Sequence, residues 1–176
     1  MTADADLLRR ARLGDEFAFT RLYERYRSPL YRFAWRMAGS SAAAEDLVHD
    51  CFLELLEGKL PFREGSLRAY LFGVVRNLYR KRFVTPVDDS SVDVITPANQ
   101  LDEALMEERS TLVNHAIASL SPLQRETLIL FEFEELSLDE IAQTVAADTG
   151  TVKSRLHRAR ENLRKQLTPE RSPHER

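Results

Sequence analysis

Cysteine occurs once in the 176 residues, as Cys51, so no internal disulfide can form. A lone cysteine suits a reducing compartment, and the chain is expected in the cytoplasm. No apolar run approaches the roughly 20 residues that cross a bilayer, so membrane insertion is not expected. The N-terminus, "MTADADLLRRARLGDEF", carries charges where a secretory leader has an apolar stretch. There is no glycine-rich phosphate loop, no H-E-x-x-H motif and no clustered Cys/His set. His49, His115, His157 and His174 are scattered, and Cys51 falls on an apolar helix stripe, where it reads as a small core residue. These absences argue against an enzyme, so no catalytic residues are assigned. No metal, cofactor or small-molecule substrate is expected.

What is there is helical. A hydrophobic fraction of 43% and a charged fraction of 30% are ordinary for a helix-rich globular chain. From about Leu7 to Phe83, apolar residues recur at helical spacing, as in Phe17, Leu22, Tyr26, Leu30, Phe33 and Met37. Gly14, Gly39 and Gly58 read as helix stops, and Pro29 predicts a kink or a new helix start. "AEDLVHDCFLELLEG" places Leu47, Val48, Cys51, Phe52 and Leu55 on one face and carboxylates on the rest. "KLPFREGS" is a loop by composition, and "LRAYLFGVVRNLYRKRF" is helical again, with a basic side. "VTPVDDSSVDVITPANQ" then has two prolines, three aspartates and no helical period, and it reads as a linker.

The second segment, from about Leu101 to Leu167, opens two helices with strong caps. Ser121 precedes Pro122, with Gln124 at the capping-box position, and Ser137 is followed by Glu140 in the same relation. After Val145, "AADTG" makes a short turn into "TVKSRLHRARENLRKQL", a basic run in a chain whose formal net charge is −3. Val152, Leu156, Ala159 and Leu163 form its packing stripe, while Lys153, Ser154, His157, Arg158, Glu161 and Arg164 lie opposite. A capped short helix, a tight turn and a helix with a cationic outer face make a helix-turn-helix. Its early residues are placed to reach base edges, and its cations to neutralise phosphates. A solvated surface helix is the alternative for the basic run alone.

"SLSPLQRETLILFEFEELSLDEIAQTVAADTGTVKSRLHRARENLR" resembles the fourth region of bacterial RNA polymerase sigma factors, in particular the extracytoplasmic-function (ECF) class of the sigma-70 family. "AEDLVHDCFLELL" and "SLRAYLFGVVRNLYRKR" resemble its second region, in the right order. The resemblance implies an all-α fold of two small helical domains joined by an extended linker. Residues 1–83 would dock on core polymerase and read and melt the minus-ten element. Residues 84–100 would be an acidic linker, 101–168 the helix-turn-helix for the minus-thirty-five element, and 169–176 a tail. It implies minus-thirty-five contacts from Thr151, Lys153, Ser154, Arg155, His157, Arg158 and Arg160. It implies minus-ten contacts and melting from Phe62, Arg63, Arg68, Tyr70, Arg76, Asn77 and Arg80, with Tyr79 a further aromatic platform. Polymerase docking would fall to Asp46, Leu47, Asp50, Phe52 and Leu53. Within that helix Leu47, Cys51 and Leu55 also read as core, and Asp46 and Asp50 as interface.

Two positions depart from the family pattern. Tyr70 stands where members usually carry tryptophan, and tyrosine still stacks. Phe131 stands where several carry an arginine that reaches the phosphate backbone, and "FEFEE" makes the surface before the turn acidic. Asp88, Asp89 and Asp93 would let the linker enter a channel built for polyanions, or serve as a solvated tether. The partners implied are core RNA polymerase, promoter DNA and an anti-sigma factor. Two other functions remain open on the residues: a sigma-like decoy or adaptor that binds an anti-sigma factor, and a conventional helix-turn-helix regulator.

Overall fold

The computed structural model describes residues 3–58, 62, 65–84 and 108–168. Eight helices make up the regular structure of these residues: α1 (Ala3–Arg12), α2 (Glu16–Ala38), α3 (Ser41–Glu57), α4 (Leu67–Phe83), α5 (Glu108–Ala118), α6 (Pro122–Glu132), α7 (Leu138–Val145) and α8 (Thr149–Leu167). Of the linker expected at 84–100 only Val84 is described; Asp88, Asp89 and Asp93 lie outside the described residues, as does the tail beyond Thr168.

Side-chain caps fix most helix starts. Asp15 accepts from the Ala18 amide at 3.1 Å, Ser40 from Ala43 at 3.3 Å and Ser66 from Ala69 at 3.2 Å. Gly39 and Gly58 end α2 and α3 at φ 67°, a left-handed conformation that glycine adopts without a Cβ clash. Pro29 neither breaks nor restarts α2, which runs unbroken through it. The donor that Pro29 lacks would have served the carbonyl of Arg25, an exposed residue, so water can take its place. Leu22, Tyr26, Leu30 and Phe33, all buried, hold both halves of the helix against the core.

The expected faces form the core. In the first four helices Leu22, Leu30, Phe33, Leu47, Leu71 and Phe72 are completely buried. The Phe33 and Phe72 rings meet edge-on, with centroids 5.4 Å apart. Each such side chain contributes about 1.5–3 kcal/mol through burial. In the last four helices Ile129, Leu130, Ile141 and Val152 do the same.

The two halves also pack on each other, α4 against α7 and α2 against α6. Gly73 lies in the middle of α4, where glycine costs about 1 kcal/mol relative to alanine. A Cβ there would sit only 3.3 Å from the carbonyl oxygen of Thr144 on α7. Its absence is what lets the two helices approach this closely.

Candidate nucleic-acid interface

The helix-turn-helix is built from its caps outward. Ser137 and Glu140 form a reciprocal capping box: the Glu140 amide donates to Ser137 Oγ at 3.2 Å, and the Ser137 amide to Glu140 Oε2 at 3.0 Å. At Ser121 only one half of the box forms. The Gln124 amide donates to Ser121 Oγ at 3.4 Å, while the Gln124 side chain accepts from Asn162 on α8 at 2.9 Å. After α7, Ala146 turns the chain at φ 52° and Asp148 caps α8. Asp148 accepts from the Thr151 amide and from the Thr151 hydroxyl, each at 2.8 Å. The amide bond, more than the hydroxyl, holds the Asp148 carboxyl below its usual range.

α8 divides as its sequence demands. Val152, Leu156 and Ala159 are buried, while Lys153, Ser154, His157 and Arg158 are exposed at its N-terminal half. Arg155 is different: it is half-buried, its Nη1 is enclosed without a hydrogen-bond partner, and its charge acts on Glu126 of α6. Arg160 is engaged by α6. Its Nε donates to Glu132 at 2.9 Å, and its guanidinium lies 5.2 Å from the Phe131 ring centroid. Thus Phe131, in place of an arginine, supports Arg160 through a cation–π contact.

On the first half, Phe62 and Tyr70 pair edge-on with centroids 5.3 Å apart. Tyr79, in contrast, is buried against Phe83 and belongs to the core, so it is not a stacking platform. Asn77 is exposed and Arg80 half-buried; Arg63 lies outside the described residues. Arg68 and Arg76 turn toward the other half of the chain. Arg68 donates to the Glu134 carbonyl, and Arg76 Nε donates to Glu126 Oε2 at 2.8 Å.

The acidic helix α3 separates into two kinds of residue. Leu47 and Phe52 are core residues, which corrects the expectation that they contact a partner: their side chains already fill the packing against α2 and α4. Asp46 is exposed, Leu53 is 43% exposed, and Asp50 is half-buried and paired with Arg82 of α4. Asp46 borders a cleft of about 350 Å³ shared with Tyr23, Arg27, Tyr31 and His49.

Comparison with known proteins identifies the family. Residues 22–84 match the family model "Sigma-70 region 2", and residues 110–163 match "Sigma-70, region 4". The chain is similar to the ECF RNA polymerase sigma factor EcfG of Rhodopseudomonas palustris, at 33% identity over 76% of this chain and 76% of that one. It belongs to the sigma-70 family, in the ECF class. Another relative is the ECF sigma factor SigW of Bacillus subtilis, 28% identical over 91% of this chain and 94% of that protein. Among solved structures, the sigma factor RpoE of Bartonella quintana, in complex with the anti-sigma factor NepR, matches with a TM-score of 0.62 and 26% identity. That match covers 87% of this chain and 98% of the other. Sigma factors of this family are promoter-recognising subunits and are not themselves enzymes. No helix among the described residues is long and apolar enough to cross a membrane.

For this sigma factor, the structure gathers Lys153, Ser154, His157 and Arg158 on one exposed face, and Phe62 with Tyr70 at the start of α4. It disperses other expected contacts. Arg68 and Arg76 face the seam between the halves, Arg155 is half-buried where its charge acts on Glu126, and the Thr151 hydroxyl is spent on Asp148. The sequence reading missed three groups: the Asp148 cap, the Tyr23–Arg27–Tyr31 wall of the cleft, and the seam residues Arg32, Arg36, Glu126 and Glu134. An Asp before a helix and an i, i+4, i+8 spacing on α2 were available signals for the first two. Nothing local marks the third.

Proposed function

We propose that α8 reads the minus-thirty-five element, that Phe62, Tyr70 and α4 read and open the minus-ten element, and that α3 with the adjoining cleft docks on core RNA polymerase. The observation that carries this reading is the polarity of α8. A capped helix that buries Val152, Leu156 and Ala159 presents Lys153, Ser154, His157 and Arg158 on its outer face, from the first turn onward. Lys153 and Arg158 supply phosphate contacts, and Ser154 and His157 sit where base edges would be read. Phe62 and Tyr70 provide stacking surfaces for unpaired bases, and Asn77 can both donate and accept. Residues 1–83 and 101–168 then act as separate units along the promoter, with 84–100 as their tether.

The chain works in the cytoplasm, performs no catalysis of its own and takes no cofactor; polymerase makes the RNA. A sigma factor of Bartonella quintana was solved with an anti-sigma factor, and this chain takes a partner of the same kind. The test is in vitro transcription with sigma-free core polymerase and fragmented genomic DNA, followed by sequencing of RNA 5′ ends. Discrete starts that share two upstream elements are expected. Background initiation only, with a core that responds to a control sigma factor, overturns the reading and favours a decoy or adaptor.

A further inference from the structure

Lys153 and Arg158 do not exhaust the cations that α8 holds ready. Helical rotation of about 100° per residue puts Arg158 and Arg160 about 160° apart, on opposite flanks of the exposed face. Lys153 stands nearly two whole turns before Arg160 and shares its flank. Ser154 and His157 fall between the flanks. A helix seated in the major groove has a phosphate backbone on either side, so a reader of base edges is held best by cations on both flanks.

Arg160 is kept in a defined pose by two adjacent residues of α6. Its Nε donates to Glu132 Oε1 at 2.9 Å, and its Nη2 donates to the same oxygen. The Phe131 ring centroid lies 5.2 Å from the guanidinium carbon, and attraction to the ring face fixes the plane of the group. A guanidinium has five N–H donors, and this carboxylate takes two, so three remain. The side chain keeps 48% exposure, which leaves those donors open to a ligand. The acids nearby are also accounted for. In "FEFEE", Glu132 is paired with Arg160, and the Glu134 side chain is buried 3.2 Å from Arg32 and 3.9 Å from Arg36. The surface before the turn is therefore less acidic than its sequence suggests.

We propose that Arg160 is a phosphate anchor on the Lys153 flank of α8, and that Phe131 is the residue that positions it, against the Glu132 carboxylate, with its free N–H edge toward the minus-thirty-five backbone. The assignment rests on the reading of α8 as the minus-thirty-five helix. It gives Phe131 a task at the position where several family members carry an arginine: the ring has no charge to offer a phosphate, but it fixes a neighbour that does. A long side chain ordered before the DNA arrives loses less freedom on binding. The planar fork of arginine suits a phosphate while one edge stays on a carboxylate.

Salt dependence tests this, because each phosphate contact contributes about 0.9 to the slope of log affinity against log salt. The probe is a duplex that holoenzyme, assembled with the full-length protein, retains from a random-sequence pool and core polymerase alone does not. Arg160→Ala should lower the slope by about 1, so that between about 50 and about 200 mM salt the variant loses about threefold less affinity than the unsubstituted protein. Phe131→Leu should keep the slope and weaken binding about two- to fivefold, the equivalent of one exposed cation–π contact. Phe131→Tyr should bind as the unsubstituted protein does, and Phe131→Leu should have no further effect once Arg160 is alanine. A merely structural ring would instead weaken binding equally in both backgrounds. That result, or no loss from Phe131→Leu at all, overturns the positioning. An unchanged slope for Arg160→Ala, beside a lowered one for Lys153→Ala, overturns the anchor and leaves α8 as the reading helix. Unchanged slopes for Lys153→Ala, Arg158→Ala and Arg160→Ala alike overturn the reading of α8 itself, as does a holoenzyme that retains no duplex beyond those held by core.

Discussion

Replacing Arg76 and Glu126 by leucine, singly and together, tests how the seam between the halves is held. The pair is 2.8 Å apart and almost wholly enclosed. Arg76→Leu leaves the Glu126 carboxylate buried without its hydrogen-bond donor; its second oxygen, Oε1, already has none. Glu126→Leu leaves the Arg76 guanidinium, among the described residues, with a 3.4 Å contact to Asn77. Breaking a buried pair from one side costs about 3–5 kcal/mol, whereas apolar replacement of both members is often neutral. Because the pair spans two halves, a stranded charge can escape by letting the seam open, so the loss cannot exceed the free energy of closure. The double variant should not recover fully, since Arg155 still carries an enclosed Nη1 beside position 126. Urea unfolding, followed by far-ultraviolet circular dichroism and by the single tryptophan, Trp35, supplies the four free energies. Each single change is expected to cost at least about 2 kcal/mol, and the double to regain half or more, giving a coupling of at least about 1.5 kcal/mol. If the two losses merely add to within about 0.5 kcal/mol, the pair is not what holds the seam.

Lys153→Ala and Arg158→Ala should each weaken binding of polymerase holoenzyme to the minus-thirty-five element and lower the slope of log affinity against log salt by about 1; an unchanged slope removes that residue from the phosphate contacts. Phe62→Ala should reduce promoter opening, read by permanganate reactivity, about 5- to 150-fold, the equivalent of one lost stacking contact of about 1–3 kcal/mol. Tyr79→Ala should act differently, costing about 3–5 kcal/mol of fold stability because that ring is core, and the two phenotypes exchanged would refute the assignment. The Asp148 cap predicts an acid dependence. A carboxyl held below its unfolded value adds stability above the ordinary carboxylate range, and that stability disappears as pH falls through the lowered value. Asp148→Asn, neutral throughout, should therefore flatten the loss of helix between about pH 5 and about pH 2, measured by circular dichroism. An unaltered acid limb would show that the carboxylate charge contributes nothing to the turn.

Much of this architecture is visible in the residues because it is set by local rules. Ser137 with Glu140 forms the expected box, and Gly39 and Gly58 end their helices as left-handed glycines should. The stripe of Val152, Leu156 and Ala159 turns inward as its period requires. Local rules fail where tertiary partners decide. Pro29 is carried through α2 because packing holds both flanks, and Gln124 gives its side chain to Asn162, a residue 38 positions away. Leu47 and Phe52 share a helix with Asp46 and Leu53, so only the packing tells which of them a partner can touch. The arginines of α4 look like free cations in a sequence. Their destinations, Glu126 and the Glu134 carbonyl, lie 50 and 66 residues away, and no periodicity connects them.

Glu140 carries one more implication. One of its oxygens caps α7 through the Ser137 amide, and the other accepts from Ser66, which itself caps α4. A single carboxylate thus keys the first turns of two helices that belong to different halves of the chain. Sliding α7 along α4 by even one residue would cost both keys at once. The packing of one half on the other therefore has a single register.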